Sequence, residues 1–208
     1  DLPGHGLSGG APLTSSGDMA DWIDGLLASL GVAQATLFGH SQGVLVALET
    51  ASRHPERVAA LTLIAGAMAI PVNDALIEMS QSAPEKAFRM MTSWGHGPGA
   101  HKFDNTQPGH AFLGYGRRVM AQNDGAALHA DLVACNSYDG GKDAAASVTQ
   151  PSLCLLAGKD KMTPVKFGRK MAEQISGAQY HVFERAGHFL PAEFPIEVND
   201  AMAAFLSR

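Results

Sequence analysis

The sequence predicts an α/β fold, a parallel sheet with helices on both faces. Short runs that are apolar almost throughout alternate with helical stretches, the pattern of strands buried on both sides. A single strand-free stretch of about 80 residues is too long for a simple crossover and reads as an insertion. The 208-residue length suits one such domain with an inserted subdomain, enough chain to bury a sizeable core.

The elements follow in order. Residues 1–8 form a Pro- and Gly-containing loop. From Ser15 to Leu30 a helix is expected, with Met19, Trp22, Ile23, Leu26, Leu27 and Leu30 on one face. Ser15 and Asp18 have capping-box-like spacing, and Gly31 offers a C-terminal stop. Ala35 to Phe38 reads as a strand and Val44 to Ser52 as a helix that ends near His54-Pro55. Three more apolar runs, Val58–Ala65, Ser152–Ala157 and Gln179–Glu184, complete the strands, with helices over Val165–Ile175 and Pro195–Leu206. The expected organisation is a core over 1–69, a helical lid over 70–148 and the rest of the core over 149–208. Cys135 and Cys154 read as small core hydrophobes, and Asp139 and Asp143, flanking Gly140-Gly141, as turn residues.

Composition narrows the partners. A formal charge of −5 without a Lys/Arg cluster argues against nucleic acid and anionic membranes. No stretch of apolar residues is long enough to span a bilayer. Two cysteines form no disulfide framework, which points to a reducing, cytoplasmic setting.

The chemistry centres on Gly39-His40-Ser41-Gln42-Gly43, placed between a strand and a helix. A serine on such a sharp turn is lifted above the sheet, with the positive end of a helix dipole behind it. Glycines are expected on both sides because side chains there would collide with strand and helix backbones. A serine hydroxyl is a poor nucleophile until a base takes its proton, and that base must be held in the right tautomer. In a parallel sheet the partners belong just beyond the carboxyl ends of later strands. Asp160 follows the third apolar run and His188 the fourth. Asp160 also suits a helix-capping role. His5, His96, His101, His110 and His129 read as loop or lid histidines, without the i,i+4 spacing of a metal site. No metal and no organic cofactor is required.

These segments together resemble the α/β-hydrolase fold superfamily. The resemblance rests on Asp1-Leu2-Pro3-Gly4-His5-Gly6-Leu7-Ser8, the elbow at 39–43, Gly158-Lys159-Asp160 with Thr163-Pro164, and Gly187-His188. It implies a serine hydrolase with Ser41 as nucleophile, His188 as base, Asp160 as its orienting acid and the Gln42 N–H as an oxyanion donor. Carboxylic esters are the first substrate class it implies, with thioesters, lactones and carbon–carbon bonds of vinylogous diketones behind. A serine at the elbow departs from the dehalogenase and epoxide hydrolase branches, for which the resemblance implies an aspartate. Met90, Met91, Trp94 and Phe112 are expected to touch substrate, with Met79, Phe88, Phe103 and Tyr115 as further apolar candidates; Arg89, Arg117 and Arg118 could anchor an acidic group.

Against the superfamily pattern, Asp1 would begin the loop after the fourth strand. The expected sheet is then the block 5-6-7-8, with the strand before Ser41 as an edge open to self-association. The loop after the third strand, the usual source of a second oxyanion donor, would be missing, so weak turnover is expected of this chain alone. A catalytically impaired, ligand-binding fragment is the alternative from another class.

Overall fold

A computed structural model describes residues 1–103 and 111–207; His110 and the Phe103 side chain, both named above, lie outside what it describes. Four parallel strands, β1 (Ala35–His40), β2 (Val58–Ile64), β3 (Ser152–Ala157) and β4 (Gln179–Phe183), pair in the order β1-β2-β3-β4. His40 lies opposite Ile64, Ile64 opposite Leu155, and Ala157 opposite Phe183, so the loops after all four strands leave the same edge of the sheet. That edge carries Ser41, Gln42, Asp160 and His188.

The central strands have two buried faces, as their unbroken apolar runs require. Leu61, Leu63, Cys154 and Leu156 point into one core cluster, while Ala60, Ile64, Leu153 and Leu155 point into the other, the alternation of a pleated strand. The first cluster is closed by Val44 and Leu48 of helix α2 (Gln42–Arg53) and by Met171 of α9 (Val165–Gln174). Val198 and Phe205 of α11 (Pro195–Leu206) close the second. Helix α1 (Ser16–Ser29) starts as expected: the Ser15 hydroxyl accepts from Asp18 N–H and donates to the Asp18 carboxylate. Its apolar stripe is covered only at the start. Met19 is buried, whereas Leu26 and Leu30 are exposed, because α1 meets α2 through its first two turns.

Between β2 and β3 the described chain is helical, without a strand. Helices α3 (Asp74–Ser82), α4 (Pro84–Gly95) and α7 (Gly125–Ser137) share their own cluster around Leu76, Phe88, Leu128 and Leu132. Two further helices, α5 (Pro98–Phe103) and α6 (Phe112–Met120), lie between α4 and α7. Helix α8 (Gly141–Ser147) behaves differently. Its Ala144 and Ala145 pack with α2 and α9 in the sheet core, so the 70–148 stretch divides between a cap and the core layer. Asp143, expected in a turn, sits in the first turn of α8. Within the described residues, β1 pairs only with β2, and Phe38 is 48% exposed. Among the described residues no helix is long and apolar enough to cross a membrane.

Candidate active site

Ser41 sits between β1 and α2 with φ 55° and ψ −119°, a conformation that L-residues rarely hold. The helix begins at Gln42, two residues before its apolar pattern starts, because the turn runs straight into it. The two glycines of the elbow differ. A Cβ on Gly39 would run into the Gly43 carbonyl, whereas one on Gly43 would meet nothing within 4 Å. Only Gly39 is required by space; Gly43 instead borders the cavity.

Asp160 and His188, 28 residues apart, come together in the loops after β3 and β4. His188 Nδ1 lies 2.8 Å from Asp160 Oδ2, with both residues buried. Because a carboxylate only accepts, Nδ1 carries the proton and Nε2 is left as the basic nitrogen. The other carboxylate oxygen of Asp160 accepts from the N–H groups of Met162 and Thr163 at 2.8 Å each. The Thr163 hydroxyl adds contacts at 2.7 Å to Asp160 Oδ2 and 2.8 Å to the Ala65 carbonyl. Burial pushes the Asp160 carboxyl up, but His188 and Thr163 outweigh it and hold the group below its ordinary range.

His40, beside the serine, is a participant that sequence reasoning missed. Its Nε2–H donates to the His188 carbonyl at 2.7 Å, and its ring lies 4.9 Å from the ring of His188 and 6.2 Å from that of Phe189. Burial, followed by the charge of His188, lowers its pKa to about 4, so it stays neutral at physiological pH.

Ser41, Gln42, Gly43 and His188 border a cavity of about 410 Å³ between the sheet edge and the cap. Its walls are mostly apolar, with Ile70, Leu76, Phe88, Met91, Trp94 and Phe189 among them. Two of the four expected substrate contacts, Met91 and Trp94, are therefore wall residues. Met90 packs within the cap cluster, and Phe112 is buried against the His96 ring at 5.8 Å; neither lines the cavity. Arg89, Arg117 and Arg118 are exposed and off the wall, where Lys161 is the lining Lys or Arg instead.

His5, expected to be a loop histidine, also lines this cavity. Its Nδ1 meets the Pro3 carbonyl and its Nε2 meets Asp131 Oδ2, both at 3.0 Å. With an acceptor at each ring nitrogen, the site suits the doubly protonated ring, which would pair with Asp131 as an ion pair. Burial lowers its pKa, yet these partners more than reverse that and raise it. Asp131 Oδ1 also accepts from the Gln42 side chain at 3.3 Å, joining cap helix α7, the 1–8 loop and the elbow. Of the remaining named histidines, His96 is buried, His101 contacts the Ser93 carbonyl and His129 contacts Ser80. Cys135 and Cys154 are free, and burial pushes each thiol up to about 12, which makes them inert. Among the described residues, Asp24, His54 and Glu56 bring three ligand-type atoms within 4.8 Å of one another, but Asp24 is already paired with Arg57.

The chain is similar in sequence and in fold to known hydrolases. A pimeloyl-[acyl-carrier protein] methyl ester esterase of Neisseria meningitidis is 30% identical over 202 residues, covering 90% of this chain and 73% of its own. A 2-hydroxymuconate semialdehyde hydrolase of Pseudomonas putida is 26% identical over 217 residues, covering 93% of this chain and 70% of its own. The enol-lactonase of Burkholderia xenovorans LB400 superposes with a TM-score of 0.90 at 21% identity, over all of this chain and 79% of its own. The family model for the alpha/beta hydrolase family matches residues 1–201. With a strand-turn-helix serine and an Asp–His pair on one edge of a parallel sheet, the chain belongs to the alpha/beta hydrolase family.

Proposed function

We propose that this chain acts as a serine hydrolase that cleaves carboxylic esters of medium-sized apolar acyl groups. The observation that carries the reading is one cavity bordered by both the strained Ser41 and a His188 whose Nδ1 is held by buried Asp160. His188 Nε2 takes the Ser41 proton as Oγ bonds to the ester carbonyl carbon. Gln42 opens α2, so its N–H has no acceptor inside the helix and is available to the developing oxyanion. Collapse breaks the bond to the alcohol, which leaves with the proton from Nε2. Water then loses a proton to Nε2, attacks the acyl carbon, and the acid departs as Ser41 regains its proton.

The apolar walls at Met91 and Trp94 fit an acyl chain, and helices α3 to α7 act as the cap. The relatives named as esterases support ester cleavage, and the semialdehyde hydrolase supports carbon–carbon bond hydrolysis as the second reading; thioesters would suit the same machinery. Within the described residues β1 has one strand neighbour, which leaves its other side available for self-association. Two unpaired thiols suit a reducing compartment such as the cytoplasm.

The test is intact mass after incubation with a fluorophosphonate, beside a Ser41→Ala control. One adduct that the control lacks is expected, together with hydrolysis of p-nitrophenyl esters. A folded wild-type chain that takes no adduct would overturn the reading in favour of a binding module.

A further inference from the structure

Glu193 carries a carboxylate that the chemistry above does not use, yet it is 5% exposed. Both of its oxygens accept from the Gly187 N–H, at 3.1 and 3.2 Å, and Oε2 also accepts from the Gly97 N–H at 3.0 Å. Among the described residues no lysine or arginine forms an ion pair with it. Burial pushes its carboxyl above the ordinary value, against the pull of these two N–H groups. A buried acid with so little compensation has a specific task or is a liability.

Its two donors identify the task. Gly187 directly precedes His188, and Gly97 follows the end of cap helix α4. The two segments touch backbone to backbone: a Cβ on Gly187 would strike Gly97 N, and a Cβ on Gly97 would come within 2.7 Å of Gly187 N. The Phe189 N–H donates to the Gly95 carbonyl at 3.3 Å, and the His96 and Phe189 rings lie 4.6 Å apart. Three consecutive residues of the histidine loop are thus anchored to three different segments. Glu193 holds the N–H of 187, His40 the carbonyl of 188 and Gly95 the N–H of 189.

We infer that Glu193 is a positioning residue, whose carboxylate clamps cap residues 95–97 onto the histidine loop and thereby fixes His188 above Ser41. This rests on the serine-hydrolase reading of Ser41 and His188. The cap is then more than a wall for the acyl chain, because its seat on the core helps set where the base stands. Displacing a reacting group by about 1 Å can cost on the order of a hundredfold in rate.

The test measures fluorophosphonate labelling rate, and kcat and KM for p-nitrophenyl acetate and hexanoate. It uses wild type, Glu193→Gln, Glu193→Ala and Gly97→Ala, each checked by circular dichroism and thermal melting. The expected result for Glu193→Gln, which keeps one acceptor oxygen, is a fall of about tenfold in labelling rate and in kcat for both esters. Glu193→Ala falls further, and Gly97→Ala, which intrudes on the same contact from the cap side, resembles Glu193→Gln. The Glu193→Gln, Gly97→Ala double variant is no slower than its slower parent, since both break one clamp. Glu193→Gln is near-isosteric and decides the matter if Glu193→Ala does not fold. A folded Glu193→Gln that only raises KM for hexanoate, with labelling and acetate kcat unchanged, overturns the inference and leaves Glu193 as a support for the cap wall. A wild-type chain that never labels at Ser41 removes the serine-hydrolase reading itself, and the inference falls with it.

Discussion

Lowering the pH should destabilise this protein through a residue that performs no chemistry. His40 titrates near 6.5 when unfolded, but burial and the neighbouring His188 lower its pKa to about 4 in the folded chain. Between those values the unfolded state binds a proton that the folded state refuses, so stability present above pH 6.5 is lost as the pH falls toward 4. The full difference is about 3 kcal/mol, and about 2 kcal/mol of it is lost between pH 7 and pH 5. Glutamine at this position can still donate to the His188 carbonyl and cannot titrate. Urea unfolding of wild type and His40→Gln at both pH values isolates the effect, because Asp160 and the other carboxylates contribute to both proteins alike. Wild type should lose about 2 kcal/mol more than the variant. Parallel losses would show that His40 accepts its proton in the folded state and would refute the reasoning.

Asp160→Asn should leave the fold intact and lower kcat by about 10⁴ through the wrong His188 tautomer, read by ester turnover; a loss under tenfold would remove Asp160 from its assigned role. Gly39→Ala should lower the melting temperature because its Cβ meets the Gly43 backbone, while Gly43→Ala should melt like wild type. Met91→Ala should cut kcat/KM for hexanoate by about tenfold and spare acetate, whereas Met90→Ala should not discriminate between the two esters. Leu155, fully buried beneath α11, should cost about 2 to 5 kcal/mol in urea unfolding when changed to alanine.

How far the sequence could be read depended on the range over which each feature is encoded. All four strands were legible as short, continuous apolar runs, and α1, α2, α9 and α11 by their helical patterning, because both signals are local. Ser41, Asp160 and His188 were legible because each follows soon after a strand end and has a glycine one or two residues away. Helix α8 was hidden, since Ala144, Ala145 and Ala146 have no amphipathic stripe and only close packing on α2 and α9 reveals their side of the boundary. Glu193 was hidden for another reason. Its partner Gly97 is 96 residues away, and Asp131 is 126 residues from His5 and 89 from Gln42. Polar pairs at that separation leave no periodic trace; the nearest local cue was the glycine just before His188, six residues ahead of Glu193.

The contact between His5 and Asp131 constrains anyone who would exchange caps between proteins of this fold. Helix α7 brings to the core a carboxylate that two side chains, the His5 ring and the Gln42 amide, are already oriented to meet. A transplanted cap whose side chain at 131 cannot accept would leave the His5 Nε2 without its partner at the cavity wall and the Gln42 amide with only the 131 backbone carbonyl and Met19. Chimeras should therefore be drawn with positions 5, 42 and 131 inherited as a set, even though the first two lie outside any segment that would ordinarily be moved.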